Sequence, residues 1–182
     1  MSKLAGLPTS RHEPPPVGWK RDVIRMVRGQ RPAAANEPAD SPFTDADASP
    51  FTDADASPFS ASAADALVRQ GLSATLLAEL ANSSGIEPKL LYEFAGIDRT
   101  TVARRVARQD VLPQEAAVKA LEFAELVAIG VDVFGSVADA VRWLSLTHPA
   151  LDGDTPLQRA RTPWGQTRVR AVLGALKFGG VV

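Results

Sequence analysis

Residues 137–179 constrain the fold of this chain most, because helix breakers divide them into short amphipathic segments. The stretch reads VADAVRWLSLTHPALDGDTPLQRARTPWGQTRVRAVLGALKFG, with breakers at HP, DGDTP and TPWG. A residue that precedes proline is pushed out of helical geometry, so one continuous helix cannot span residues 137–179. The spacing therefore predicts three helical segments that fold back on one another.

The same helix-starting device occurs twice in this stretch. Thr155-Pro156 and Thr162-Pro163 each place a hydroxyl N-cap before a proline at the first helical position. Ser136, followed three residues later by an acid, predicts the start of the first segment, and Gly179 predicts the end of the last. The first segment is expected to end before His148-Pro149.

Upstream, residues 113–134 predict one long helix that begins at Pro113. Its apolar side chains cover much of the circumference, which is typical of a helix buried between layers or at a dimer contact. Three of its charged residues, Glu115, Lys119 and Glu122, form a narrow strip at one end. We expect this helix to join two halves of the folded region, residues 61–112 and 113–182.

Residues 61–112 are predicted to form a helix-turn-helix-like region. Short apolar segments end at Gly71, Gly85 and Gly96, and Asp98 is a good N-cap for the segment that follows. In that segment Val102 and Val106, four residues apart, are predicted to face the core.

A second face of the same segment is basic. An apolar edge that holds the helix on a scaffold, with arginines that reach phosphates and base edges, is what a DNA recognition helix requires. A solvated basic surface is the alternative interpretation. The predicted DNA-binding residues are Thr101, Arg104, Arg105 and Arg108.

Residues 1–60 are predicted to be a flexible, disordered arm, since they hold too little apolar surface to offset the entropy of ordering. Residues 18–29, GWKRDVIRMVRG, predict a short basic amphipathic helix, either transient or docked on a partner or on DNA. SPFTDADA occurs at residues 41–48 and again at 49–56, then SPFS. Two and a half copies of eight residues are too few for a solenoid, so an acidic linker is predicted.

Composition excludes several classes of protein. The chain has no cysteine and two histidines, which argues against disulfides, thiol chemistry and histidine-rich metal sites. No signal-like or membrane-spanning apolar run occurs, so a soluble cytoplasmic protein is expected. Asp152 and Asp154 are explained by their turn, and no nucleophile triad or phosphate-binding glycine loop accompanies them. We therefore predict no catalytic residue, no metal site and no cofactor.

The folded part also carries ordered motifs. They are Gly96-Ile97-Asp98 before an Arg-Arg pair, Ala128 with Val133-Phe134-Gly135, Ala140-Val141 with Trp143-Leu144, Leu151 with Thr155-Pro156-Leu157, and Thr162 with Gly165, Val169 and Leu173. In order and spacing, these motifs over residues 61–179 resemble the Xre/MbcA/ParS antitoxin family. The arm of residues 1–60 has no counterpart in that resemblance.

The resemblance implies an all-α type II antitoxin with an Xre-like DNA-binding half and a C-terminal toxin-binding domain. It also implies a homodimer, operator DNA as a partner, and a RES-domain toxin that consumes NAD or ADP-ribosylates a target. Trp164, Arg168 and Lys177 would then contact the toxin. A stand-alone helix-turn-helix transcriptional regulator with a C-terminal dimerisation module is the alternative, and a neighbouring reading frame for a RES-type protein would favour the antitoxin.

Overall fold

The structure, a computed structural model, describes residues 61–179. Within that range the ordered elements are all helices, joined by turns and one isolated antiparallel bridge between Ser73 and Val111. The elements are α1 (Ala61–Gln70), α2 (Thr75–Ser84), α3 (Pro88–Phe94), α4 (Arg99–Ala107), α5 (Gln114–Phe134), α6 (Val137–Ser145), a 3-10 turn (Pro149–Leu151), α7 (Pro156–Arg159) and α8 (Pro163–Lys177). The predicted all-α fold is confirmed.

The predictions for the arm lie outside the described residues. These are the basic segment at residues 18–29, the SPFTDADA copies at 41–56 and the disorder expected for residues 1–60.

Helix α5 is the centre of the fold. It contacts α1, α2 and α3 from the first half of the folded region, and α6 and α8 from the second. The apolar stripes predicted for this helix are buried by other helices of the same chain, so the prediction of a helix between layers is confirmed. Its buried residues include Ala117, Leu121, Phe123, Ala124, Val127, Ala128 and Val131.

Helices α5 and α6 approach each other closely at Gly130. A Cβ atom added at Gly130 would lie 2.8 Å from the Cβ of Ala140, so glycine permits the two backbones to approach closely. Gly135, with φ of 83°, ends α5 in the left-handed conformation. The N–H of Asp139 then donates to Ser136 Oγ at 3.0 Å, which starts α6 as predicted.

The breakers after α6 act as predicted. The backbone N–H groups of Gln158 and Gly165 donate to the hydroxyls of Thr155 and Thr162, each at 3.1 Å. Gln158 Oε1 accepts from the N–H of Thr155 in return, which completes a capping box. The middle segment differs in extent, because α7 is a single turn of four residues.

Helix α4 is held at its ends rather than along a face. Val102 is its buried residue, whereas Val106 is 36% exposed, so the prediction that Val106 faces the core is wrong. After α4 the chain turns through Gln109 (φ of 54°) and returns to the α1–α2 connection. There the N–H of Leu112 donates to the carbonyl of Leu72 at 2.7 Å. This return leaves the end of α4 at the periphery.

Candidate functional site

Trp164, the first predicted partner-contact residue, lies in the first turn of α8 and is 84% exposed. Its neighbour Gly165 is buried against α7: a Cβ atom there would lie 1.8 Å from the carbonyl oxygen of Arg159. The start of α8 is thus pressed onto α7 at Gly165, while the adjacent indole lies in solvent. An exposed indole on a rigidly held helix start is a suitable anchor for another protein.

Arg168, the second predicted residue, supports a turn of its own chain. Its Nε and Nη2 donate to the carbonyl of Ala150 at 3.1 and 2.9 Å, and Nη2 lies 3.6 Å from the carboxylate of Asp152. Arg159 approaches the same turn and donates to Leu151 O at 2.8 Å and Asp152 Oδ2 at 2.6 Å. Two guanidinium groups therefore hold the Asp152-Gly153 turn, although half of the Arg168 side chain remains exposed.

Lys177, the third predicted residue, joins α8 to α5. Its Nζ lies 2.8 Å from the carboxylate of Asp132 and 5.4 Å from the centroid of the Phe178 ring. About two turns earlier, Arg170 makes a bidentate pair with Glu125 at 2.8 and 2.5 Å. The structure does not bring Trp164 and Lys177 together, because they lie thirteen positions apart on α8, a distance of about 20 Å.

A groove adjoins the start of α8. It has a volume of about 980 Å³ and lies between the end of α3, the start of α5 and the start of α8. Phe94, Ile97 and Val118 contribute apolar surface, and Pro163 reaches its edge beside Trp164. The groove escaped sequence reasoning because its walls are distant in sequence. Its charged lining residues are Glu93, Glu115, Lys119, Glu122 and Arg161.

The predicted DNA-binding residues on α4 divide into two pairs. Thr101 and Arg105 have partners within the protein. Thr101 donates its N–H to Asp98 Oδ1 at 2.8 Å and its hydroxyl to Oδ2 at 2.7 Å, and this hydroxyl contact is the main cause that lowers the pKa of Asp98. Arg105 donates to Asp110 at 3.0 Å and to the carbonyl of Val111 at 2.9 Å. These two residues hold the ends of α4.

Arg104 and Arg108 form the second pair. Both are exposed, and between residues 61 and 179 neither forms an ion pair or a side-chain hydrogen bond. Arg99, which sequence reasoning did not select, is also exposed, in the first turn of the same helix. We name Arg104 and Arg108 the α4 basic face, because they lie one turn apart on the same side, whereas Arg99 lies on the other side of the helix. A helix face with free guanidinium groups can bind phosphates or carboxylates.

Metal ligands are not clustered in the part of the chain that the structure describes. No group of three or more histidine, aspartate or glutamate side chains there could hold a metal ion. Among the same residues, no helix is long and apolar enough to cross a membrane.

The C-terminal unit is similar to a known family. Residues 130–179 match the family model described as the antitoxin Xre/MbcA/ParS C-terminal toxin-binding domain. The match begins in the last turns of α5 and extends through α6, α7 and α8, so the resemblance inferred from the sequence is confirmed over this span. No protein of curated function matches the chain.

Proposed function

From the match of residues 130–179 to an antitoxin toxin-binding domain, we propose that this protein neutralises a RES-domain toxin of a type II toxin–antitoxin system. The match is the observation that carries the proposal, because it assigns a toxin as the kind of partner. The RES type of the toxin, and the NAD-consuming or ADP-ribosylating chemistry that goes with it, come from the resemblance of the ordered motifs.

We place the toxin contact at Trp164 and the adjoining groove. Interface hot spots are enriched in tryptophan and arginine and lie beside pockets that exclude water on binding. Trp164 is exposed beside such a groove, and Arg161 lines it. The proposed mode is occlusion: an antitoxin seated at the mouth of the toxin's active site excludes the dinucleotide substrate. Arg168 and Lys177 then act mainly by keeping α8 in place, since each already has partners in the chain.

Co-expression with the product of a neighbouring RES-domain reading frame tests this function. We expect restored growth, a complex that survives purification, and loss of the toxin's NAD consumption or transferase activity. A mass measurement of the complex gives its stoichiometry and shows whether it contains the homodimer that the family resemblance implies. Unrestored growth together with separate elution of the two proteins would mean that this chain is not the antitoxin of that toxin.

We further propose that the α4 basic face binds operator DNA, so that the protein regulates its own operon. Support comes from the guanidinium groups of Arg104 and Arg108, which have no partner within residues 61–179, and from their position on a helix held by its ends. Thr101 and Arg105 contribute by fixing α4, because their polar atoms bind Asp98 and the segment after the helix.

Salt dependence of DNA binding tests the second proposal. Removing one cation that binds a phosphate lowers the slope of log affinity against log salt by about 0.9. Replacing Arg104 and Arg108 by Ala is therefore expected to lower the slope by about 2 and to leave toxin neutralisation intact. Equal loss of both activities would show that one surface serves both partners. An unchanged slope would remove α4 from the DNA interface.

A further inference from the structure

The α4 basic face holds two cations whose charge is not neutralised by a neighbouring side chain of residues 61–179. Arg104 and Arg108 lie one turn apart on the exposed side of the helix, without a carboxylate partner from those residues. The α4 basic face is thus suited to an anionic ligand.

The chain itself contains a strongly anionic segment. Residues 32–60 hold six carboxylates and no lysine or arginine. Each SPFTDADA copy combines one phenylalanine with two aspartates, and a third phenylalanine follows at Phe59. The aspartates of the two copies are Asp45, Asp47, Asp53 and Asp55.

This acidic segment is also close enough to reach α4. It joins the described residues at Ala61, the start of α1, a helix of ten residues that is about 15 Å long. The end of α1 lies near the end of α4: a Cβ atom at Gly71 would be 3.2 Å from Val111 Cγ1, three residues beyond Arg108.

The remaining gap is short for an extended chain. Three residues from Val111 to Arg108 add about 10 Å, so the path from Ala61 to the nearest edge of the basic face is about 25 Å. The eight residues from Ala61 back to Asp53 span up to about 27 Å, and sixteen residues back to Asp45 span about twice that. Both copies can therefore reach α4 while the helices keep their places.

We propose that the acidic segment of residues 41–56 binds the α4 basic face of its own chain, with its aspartates on Arg104 and Arg108. Tethering places the segment at an effective concentration in the millimolar range, so weak contacts suffice for occupancy. The contact is electrostatic and exposed, and salt weakens it over the range in which the Debye length falls below about 10 Å.

One consequence rests on the proposed DNA binding. A segment that carries carboxylates to the same guanidinium groups competes with phosphates for them. The acidic copies therefore lower the apparent affinity for any DNA duplex that binds through Arg104 and Arg108.

Engineered disulfides test the contact directly, because the natural chain has no cysteine. Ala46→Cys in the first copy is combined with Ala103→Cys, an exposed residue on α4. The control pair combines Ala46→Cys with Asn82→Cys, an exposed residue on α2, a helix without a basic residue. The measurement is the rate of disulfide formation in a glutathione buffer at about 0.01 M and about 1 M salt, where Debye lengths are about 30 and 3 Å.

At low salt we expect the α4 pair to close about tenfold faster than the α2 pair, the ratio that about 1.4 kcal/mol of attraction provides. Arg104→Gln with Arg108→Gln, or Asn in place of the four aspartates, should remove this advantage, as should high salt. Equal rates for the two pairs at low salt would overturn the proposal.

Two other results would also overturn it. Disulfide-linked dimers whose yield rises with protein concentration would assign the contact to a second copy of the chain. A rate that depends on Arg21, Arg25, Arg28 and Arg31 rather than on α4 would assign the carboxylates to the basic arm.

A DNA titration separates this contact from the proposed function. The aspartate-to-asparagine variant should bind a random duplex more tightly than the natural chain does. If neither protein binds DNA, the DNA part of the proposed function fails, while the disulfide rates still decide whether the acidic segment occupies α4.

Discussion

Helices α4 and α8 are both rich in arginine, yet their guanidinium groups are used in different ways. In α8, Arg168 and Arg170 bind carbonyl and carboxylate groups of the Asp152 turn and of α5. In α4, Arg104 and Arg108 have no such partner among the described residues, whereas Arg105 is tied back to the segment after the helix. The cations of α8 mainly stabilise the fold, whereas Arg104 and Arg108 remain available for a ligand.

This difference separates two kinds of recognition. The exposed feature of α8 is an indole, Trp164, so a partner bound there gains mainly from apolar burial and is little affected by salt. The exposed feature of α4 is charge, so a partner bound there is governed by counterion release. Substitutions in the two helices should therefore have different kinds of effect. The expected effects range from a loss of several kcal/mol in unfolding free energy to a change in the acid titration of one side chain.

Gly165→Ala should produce the largest loss. Its Cβ would lie 1.8 Å from the Arg159 carbonyl, so α7 and α8 must separate, at a cost of about 3 kcal/mol or more in unfolding free energy. Gly174→Ala, on the same helix, meets no atom within 4 Å and should stabilise by about 0.5–1 kcal/mol. Urea unfolding of the two variants gives both values, and a neutral Gly165→Ala would contradict the packing at the start of α8.

Trp164→Ala should leave the unfolding free energy within about 0.5 kcal/mol of the natural chain, because the indole is already exposed. Toxin affinity should fall by about 2 kcal/mol, roughly 30-fold. Phe178→Ala is the matched control, since that aromatic ring is 78% exposed at the opposite end of α8. Calorimetric titration with the toxin distinguishes the two ends, and a larger loss for Phe178→Ala would move the contact to the C-terminus.

Arg170→Met should destabilise the protein by about 1–2 kcal/mol, since it strips a bidentate partner from Glu125, which is 19% exposed. Arg108→Met should change stability by less than about 0.5 kcal/mol, because its side chain is exposed and makes no ion pair within residues 61–179. Thermal unfolding of both variants compares the two arginine classes directly. Equal losses would erase the distinction drawn between α4 and α8.

The smallest effect concerns acid. The hydroxyl and amide of Thr101 stabilise the ionised carboxylate, which lowers the pKa of Asp98. A depressed pKa in the folded state means that the cap stabilises α4 above the ordinary aspartate range and is lost as pH falls through the lowered value. The amide resonance of Thr101 should therefore titrate below that ordinary range, and Asp98→Asn, which still caps a helix, should abolish the titration.

Local signals predicted much of this structure. Thr155, Thr162 and Ser136 cap their helices as expected, because a cap depends on residues within one turn of the chain. The stripes of α5 predicted its burial for a similar reason: helical periodicity is independent of which neighbour covers the face.

The failures and omissions have a common cause. Val106 was expected in the core, and the ties of Arg168 and Lys177 were not foreseen, because burial and ion pairing depend on segments distant in sequence. Lys177 lies 2.8 Å from Asp132, a residue on another helix, and the groove has walls from α3, α5 and α8. Sequence spacing identifies which residues share a face but does not say what lies opposite that face.

The central position of α5 makes the sequence family and the folding unit different in extent. The matched residues begin at Gly130, near the end of α5, yet α8 is bound to that helix through Glu125, which precedes the match. A fragment that began at Gly130 would lose the Glu125–Arg170 ion pair and the buried residues Ala124 and Val127. The matched span is thus shorter than the unit that folds cooperatively. The two halves of the folded region should therefore unfold in a single thermal transition.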